Sequence, residues 1–210
     1  LGLCLKSINE QTYSNFEIIY VDNESEDASI DIAKSYKVTK IKNIKKFLPG
    51  NAINVGIKAS SGKYIVILSA HCIPANKDWL KNLVKSIKGR KKIAGVYGRQ
   101  VPLNSTSSDD ARDLLITFGN EDRIQKKDPF FHNANSIIKK SIWNKVNFDD
   151  DISNIEDRDW AKKILSMGYE IKYDSNAMVF HFHGLHQHNN HSSFRASAVN
   201  SLIQKIDNDD

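Results

Sequence analysis

Three short and almost uninterrupted apolar runs constrain the fold of this chain more than any other feature: Phe16–Val21, Tyr64–Leu68 and Ile93–Tyr97. A strand with one wet face alternates apolar and polar residues. A run without that alternation is buried on both faces and needs cover on each side. Helical spacing supplies the cover: a helix is expected over about Asp27–Tyr36 after the first run, and another carrying Trp79, Leu80, Leu83, Val84 and Ile87 after the second. Between them, Pro49-Gly50 opens and Ser61-Gly62 closes a helix with Ala52, Ile53, Ile57 and Ala59, and Val38–Ile41 reads as a short strand. This alternation predicts an α/β domain with a mostly parallel central sheet and helices on both faces.

Periodicity weakens between residues 102 and 130, where a long loop and one irregular helix are expected. Order returns with a strand at Asn135–Ile138, a helix over about Glu156–Met167, and two strands near Tyr169–Tyr173 and Ala177–Phe182. At 210 residues the chain fits one domain, expected over 1–183, followed by a polar, His-rich tail at 184–210. Leu1, Cys4, Leu5 and Ile8 already follow helical spacing. The chain is therefore expected to open inside a helix, with a first strand missing upstream.

Charge and cysteine content narrow the function classes. Thirty Lys and Arg against 25 Asp and Glu leave +5, concentrated in Lys40–Lys46 and Lys81–Lys92. These stretches read first as solvated faces; the alternative is attraction to an anionic membrane or to phosphate-bearing substrates. Two cysteines, Cys4 and Cys72, argue for a reduced, cytosolic compartment and against a disulfide scaffold. No apolar run reaches the ~20 residues of a spanning helix, and no signal peptide is legible.

Four groups of residues could carry chemistry. Tyr64–Leu68 ends in Ser69-Ala70-His71, at the carboxyl end of a strand, where open α/β sheets bind ligands. Asp22, Asn23 and Ser25 occupy the equivalent place after Phe16–Val21; Ser25 or Asp27 would cap the next helix, or Asp22 would contact a nucleotide. Ser153-Asn154-Ile155-Glu156 fits a capping box with Glu156 at its fourth position. That leaves Asp157 in the first turn, kept ionised by the helix dipole and available as a general base. His181 and His183 share one face of a strand, and with His71 they would suit a borderline divalent ion such as Zn or Mn. His186, His188 and His191 read as exposed and incidental, or as a His-tract metal site.

Taken together, these segments resemble family 2 glycosyltransferases of the GT-A fold. The likeness rests on Glu17 through Asp27, Asn51 through Ile57, the block from Gly62 to Leu80, and Ile155 through Ala161. Leu68-Ser69-Ala70-His71, Tyr97-Gly98-Arg99-Gln100, Asn133-Ala134-Asn135 and His181-Phe182-His183 resemble a bacterial rhamnosyltransferase-like subgroup.

The resemblance implies inverting transfer from a nucleotide-diphosphate sugar to an acceptor hydroxyl, in bacterial surface polysaccharide synthesis. It implies a nucleotide-binding half at 1–100 and an acceptor and catalytic half at 101–183. Asp22, Asn23, Ser25 and Asn54 would line the nucleoside pocket, and Glu156 and Asp157 are the candidate catalytic acids, with Asp157 as base. The family places an Asp-x-Asp motif where this chain has Ser69-Ala70-His71, which looks like the Asp-x-His variant of animal polypeptide GalNAc-transferases. By that analogy His71 and His181, with His183 as alternate, would hold a divalent metal (Mn or Mg), and Arg99 would share the diphosphate charge. The implied partners are the sugar-nucleotide donor and a saccharide or lipid-linked saccharide acceptor, at the inner face of the membrane, with no nucleic acid. The competing readings are a transferase with another donor, a non-catalytic sugar-nucleotide-binding remnant, and a His-dependent metal binder.

Overall fold

The computed structural model describes residues 1–152 and 154–181. The chain opens with helix α1 (Gly2–Asn9), then β1 (Ile19–Asp22), α2 (Ser29–Ser35), β2 (Lys40–Asn43), α3 (Pro49–Ala59), β3 (Tyr64–Leu68), β4 (Cys72–Pro74) and α4 (Trp79–Ile87). It continues with β5 (Ile93–Pro102), α5 (Ser108–Thr117), β6 (Arg123–Gln125), β7 (Asn135–Lys139), α6 (Lys140–Trp143), α7 (Glu156–Ser166) and β8 (Glu170–His181). No described helix is long and apolar enough to cross a membrane.

Five strands lie in the order β3-β7-β5-β8-β4, with β6 also on β8, while β1 and β2 form a separate parallel pair. The α/β class and the two-sided cover hold, but the strand directions do not. Only β5 and β8 run parallel within the large sheet; β3–β7, β5–β7, β4–β8 and β6–β8 are antiparallel. β3, β5 and β8 share one direction, and β7 is inserted against them. Run composition reports two-sided burial but is blind to direction, which is why β7 read like the others.

The residues of each strand divide between two cores. Ile65, Tyr97, Ile138, Ile171 and Tyr173 pack with Trp160, Phe131 and Phe118 on the face covered by α5 and α7. Val96, Ile137, Ala177 and Val179 pack with Trp79, Leu83 and Ile87 of α4 on the other. Fully burying a Leu, Ile or Val contributes about 1.5–3 kcal/mol each, so the two clusters dominate stability. α4 begins where its apolar stripe begins, and Gln11 fixes its start: the side-chain oxygen accepts from Leu80 N–H at 2.9 Å, while Nε2 donates to the carbonyls of Ser7 and Asn76.

The two expected C-terminal strands are one. β8 runs through Asp174-Ser175-Asn176, and its extra residues bulge opposite Arg99, where the register with β5 shifts between Gly98 and Gln100. The polar triplet looks like a turn in sequence, but Asp174 accepts from the backbone of Asn176 and the strand carries on. Gly98 is required there, because a Cβ would collide with the carbonyl of Ala177 and the amide of Asn135. Residue 100, where the two halves were expected to divide, falls inside β5.

β1 and β3 have one partner each among the described residues. Ile19–Val21 and all of β3 line the same cavity of about 1370 Å³, whose remaining walls include α1, α3 and the start of α4.

Candidate functional site

One end of that cavity collects the polar residues: Ser69, His71, His132, Asn133, the segment 154–158 and His181. A tight turn brings His71 there. Ser69 donates its N–H to Ala134 O at 3.2 Å and accepts from Cys72 N–H at 2.9 Å, so the chain reverses from β3 into β4. β4 lies antiparallel on β8 with Cys72 opposite His181. His71 then faces His181 with the two Nε2 atoms 3.0 Å apart and the rings stacked at 4.8 Å and 15°.

His181 is buried, and its Nδ1 meets Gln100 Oε1 at 2.6 Å. Gln100, fully buried, reaches His132 Nδ1 through Nε2 at 3.0 Å. Below this line Asn135 bolts the strands together. It accepts from Trp79 Nε1–H at 2.9 Å and donates Nδ2 to the carbonyls of Arg99 and Ala177.

The second half of the site is the start of α7. Asn154, in the left-handed region with φ 66°, turns the chain into the helix, a conformation Asn tolerates better than most. Ile155 is the N-cap and Glu156 the first helical residue, so Glu156 does not close the expected capping box; Ser153 lies outside the described residues. Instead the Glu156 carboxylate accepts from Asn133 Nδ2 at 3.2 Å, and Asp157 accepts from the N–H groups of Asn133 and Arg158 at 3.3 and 2.8 Å.

Burial raises the Glu156 carboxyl above its ordinary range. Asp157 is also raised, by burial first and the Glu156 charge second, despite the bonds from Arg158 and Asn133. Burial and the neighbouring Glu156 charge thus oppose the stabilisation that the helix N-terminus offers the Asp157 carboxylate. A carboxylate held above its normal range is a stronger base once ionised, which suits proton abstraction near neutral pH.

The residues also fit a divalent ion. Two imidazole nitrogens each about 2.1 Å from one ion, at roughly a right angle, stand about 3.0 Å apart, the separation observed for His71 and His181. Cys72 Sγ lies within 4.8 Å of both imidazoles, but burial pushes its thiol up, and a protonated thiol is a weak ligand. With two neutral ligands and no carboxylate among His71, Cys72 and His181, such an ion would keep positions open for anionic oxygens.

Other sequence candidates lie elsewhere. Asp22 is buried at the end of β1; burial raises its carboxyl, but Ser25 and Tyr20 hydrogen bonds hold it below the ordinary value. Asp22, Asn23 and Ser25 do not line the cavity that holds His71. Asn54 donates to Phe148 O and Asp150 and accepts from Trp143 Nε1–H, tying α3 to the chain before α7. Arg99 is absent from the cavity wall, and its buried Nε has no hydrogen-bond partner among the described residues. His183 and the 184–210 tail lie outside the described residues. Sequence reasoning missed His132 and the bridging role of Gln100. Their signal was present in Tyr97-Gly98-Arg99-Gln100 and in the residue just before Asn133-Ala134-Asn135.

Comparison with known proteins gives this geometry its context. The family model described as Glycosyl transferase family 2 matches residues 1–146. The O-antigen chain rhamnosyltransferase RfbN of Salmonella typhimurium is 26% identical over 192 residues, covering 85% of this chain and 61% of that relative. The chain thus spans about three-fifths of that relative's length. Among solved structures, a mannosyltransferase from Pyrobaculum calidifontis in complex with GDP-Man and Mn2+ superposes with a TM-score of 0.65 at 20% identity, over 84% of this chain and 51% of that one. GalNAc-T7 with UDP, GalNAc and Mn2+ superposes with a TM-score of 0.64 at 15% identity, over 85% of this chain and 40% of that one. These likenesses establish the GT-A fold.

Proposed function

The chain belongs to glycosyl transferase family 2, and from that premise we propose that it transfers a sugar, with inversion, from a nucleotide-diphosphate donor to an acceptor hydroxyl. The observation that carries the reading is the meeting of two pairs, His71 with His181 and Glu156 with Asp157, along one end of a single cavity.

Asp157 takes the proton of the acceptor hydroxyl as that oxygen forms a bond to the anomeric carbon. The bond from the same carbon to the diphosphate breaks on the opposite side, and its electron pair leaves with the diphosphate. General-base help of this kind contributes typically ~10²–10⁴-fold. Glu156, held by Asn133, keeps Asp157 basic, and the two N–H bonds from Asn133 and Arg158 hold its carboxylate in place. His71 and His181 would hold a divalent ion, and such an ion would supply neutralising charge to the departing diphosphate. Ser69 offers a hydroxyl at the same wall. Asp22, Asn23 and Ser25, at the end of β1 and outside the cavity wall, would meet the nucleoside end of the donor, while Asn54 ties α3 to the chain before α7.

The acceptor is a growing surface saccharide, free or lipid-linked, and the protein works at the cytoplasmic face of the membrane. The relative RfbN, an O-antigen chain rhamnosyltransferase, supports the saccharide acceptor. The test is a screen of UDP-, dTDP- and GDP-sugars against saccharide acceptors, with and without EDTA. Turnover that Asp157→Asn abolishes while nucleotide binding survives is the expected result. Nucleotide binding with no turnover for any donor would replace this reading with that of a sugar-nucleotide-binding remnant.

A further inference from the structure

The histidine pair is served by a line of hydrogen bonds whose direction is fixed at one end. The N–H of Ala134 can only donate, and it points at His132 Nδ1 at 3.4 Å. His132 Nδ1 is therefore an acceptor, with its ring proton on Nε2. The group of Gln100 that lies 3.0 Å from the same Nδ1 must then be its amide NH2, which settles the orientation of the amide. Gln100 Oε1 in turn faces His181 Nδ1 at 2.6 Å and can only accept, so Nδ1 carries the proton of His181. The lone pair of His181 is left on Nε2, the atom that faces His71.

We propose that Gln100 and His132 are positioning residues that hold His181 as a ready Nε2 ligand for a divalent cation, in an order set by the backbone of Ala134. This rests on the reading that His71 and His181 hold the ion. The same logic divides the pair: in the 3.0 Å contact His71 Nε2 is the donor, so His71 moves its ring proton to Nδ1 when an ion binds, while His181 is set beforehand. A ligand histidine whose other nitrogen donates to an oxygen is more basic and better oriented, and loss of such a partner costs typically ~10–100-fold in metal affinity. Gln100 is fully buried and sits where β5 meets the bulge of β8, so strand packing keeps its amide in position.

The experiment joins two readouts on the intact chain: ¹⁵N-detected tautomer states of the histidine rings, assigned by single His substitutions, and Mn2+ affinity by calorimetry. Wild type should show His181 protonated on Nδ1 and His132 on Nε2. Gln100→Met, close in volume but unable to accept from the ring, should weaken Mn2+ binding ~10–100-fold and leave His181 a mixture of tautomers. Gln100→Glu keeps an oxygen that accepts from His181 Nδ1–H but sets its second oxygen against the acceptor Nδ1 of His132, so it should preserve the His181 tautomer better than Gln100→Met does while losing the contact to His132. His132→Leu, which removes the fixed end of the line, should fall between them. Circular dichroism checks that each variant is folded, and because the His132 change lies on a different segment it decides the matter if Gln100→Met does not fold.

Undiminished Mn2+ affinity in Gln100→Met, or an Nε2–H tautomer for His181 in wild type, overturns the proposal. A wild-type chain that shows the expected tautomers but binds no Mn2+ at millimolar concentration overturns the metal reading, and with it the purpose assigned to Gln100. In that case the order of the hydrogen bonds stands.

Discussion

His71 and His181 are separated by 110 positions in the chain, yet their Nε2 atoms lie 3.0 Å apart with the rings 15° from parallel. The contact is a product of the β4–β8 pairing, because neither residue has a local reason to find the other. If the pair holds an ion, His71→Ala and His181→Ala should each lower Mn2+ affinity by at least ~10²-fold, the upper end of what losing an outer partner costs. EDTA should remove turnover from the wild type and added Mn2+ should restore it. Full activity in EDTA would sink the metal role while leaving the transferase reading intact.

Asp157→Asn is expected to lower turnover by ~10²–10⁴-fold with little change in nucleotide affinity. The same substitution has a stability signature. Burial and then Glu156 raise the folded-state value of Asp157 above that of the unfolded chain. Stability from such a group is fully present below the unfolded carboxylate value and is lost as pH rises through the folded one. The melting temperature of Asp157→Asn should therefore exceed that of wild type near pH 8, and the gap should close near pH 4. Parallel melting curves across that range would contradict the raised value.

Glu156→Gln separates the two acids. It keeps a group that can meet Asn133 but removes the charge that helps to raise Asp157. The acid limb of the kcat/KM profile should shift to lower pH, because Asp157 then ionises more readily. An unmoved limb would assign that limb to another group.

Much of this was readable before any coordinates. β3 and α4 occupy the residues their apolar patterns mark, since both are buried in ways that leave a clear signature. What was not readable depends on partners remote in sequence. The direction of β7 is decided by the strands beside it. The continuity of β8 is decided by the bulge it makes against β5. Glu156 fitted a local capping pattern, and the pattern lost to a tertiary bond from Asn133. The family resemblance assigned Asn54 to the nucleoside pocket; in the structure its three bonds go to the protein's own Trp143, Phe148 and Asp150, partners no local pattern marks.

Asn135→Leu tests the scaffold under the site. The change keeps the volume but leaves Trp79 Nε1–H and the Arg99 and Ala177 carbonyls short of a partner in the interior. Each buried group left unsatisfied costs about 1–3 kcal/mol, so with three such groups urea unfolding should show a loss of about 3 kcal/mol or more. A loss below ~1 kcal/mol would mean the strands near Gly98 are held by packing alone.

The cavity that brings the histidines and acids together has a second consequence on its long sides. β1 and β3 both contribute residues to its wall, and each has one strand neighbour among the described residues. A strand edge without a neighbour is a template on which an extended chain can zip. An extended segment laid between Ile19–Asp22 and Tyr64–Leu68 would find backbone partners on both sides, and its arrival should be read first as protection of the Tyr64–Leu68 amides from solvent exchange.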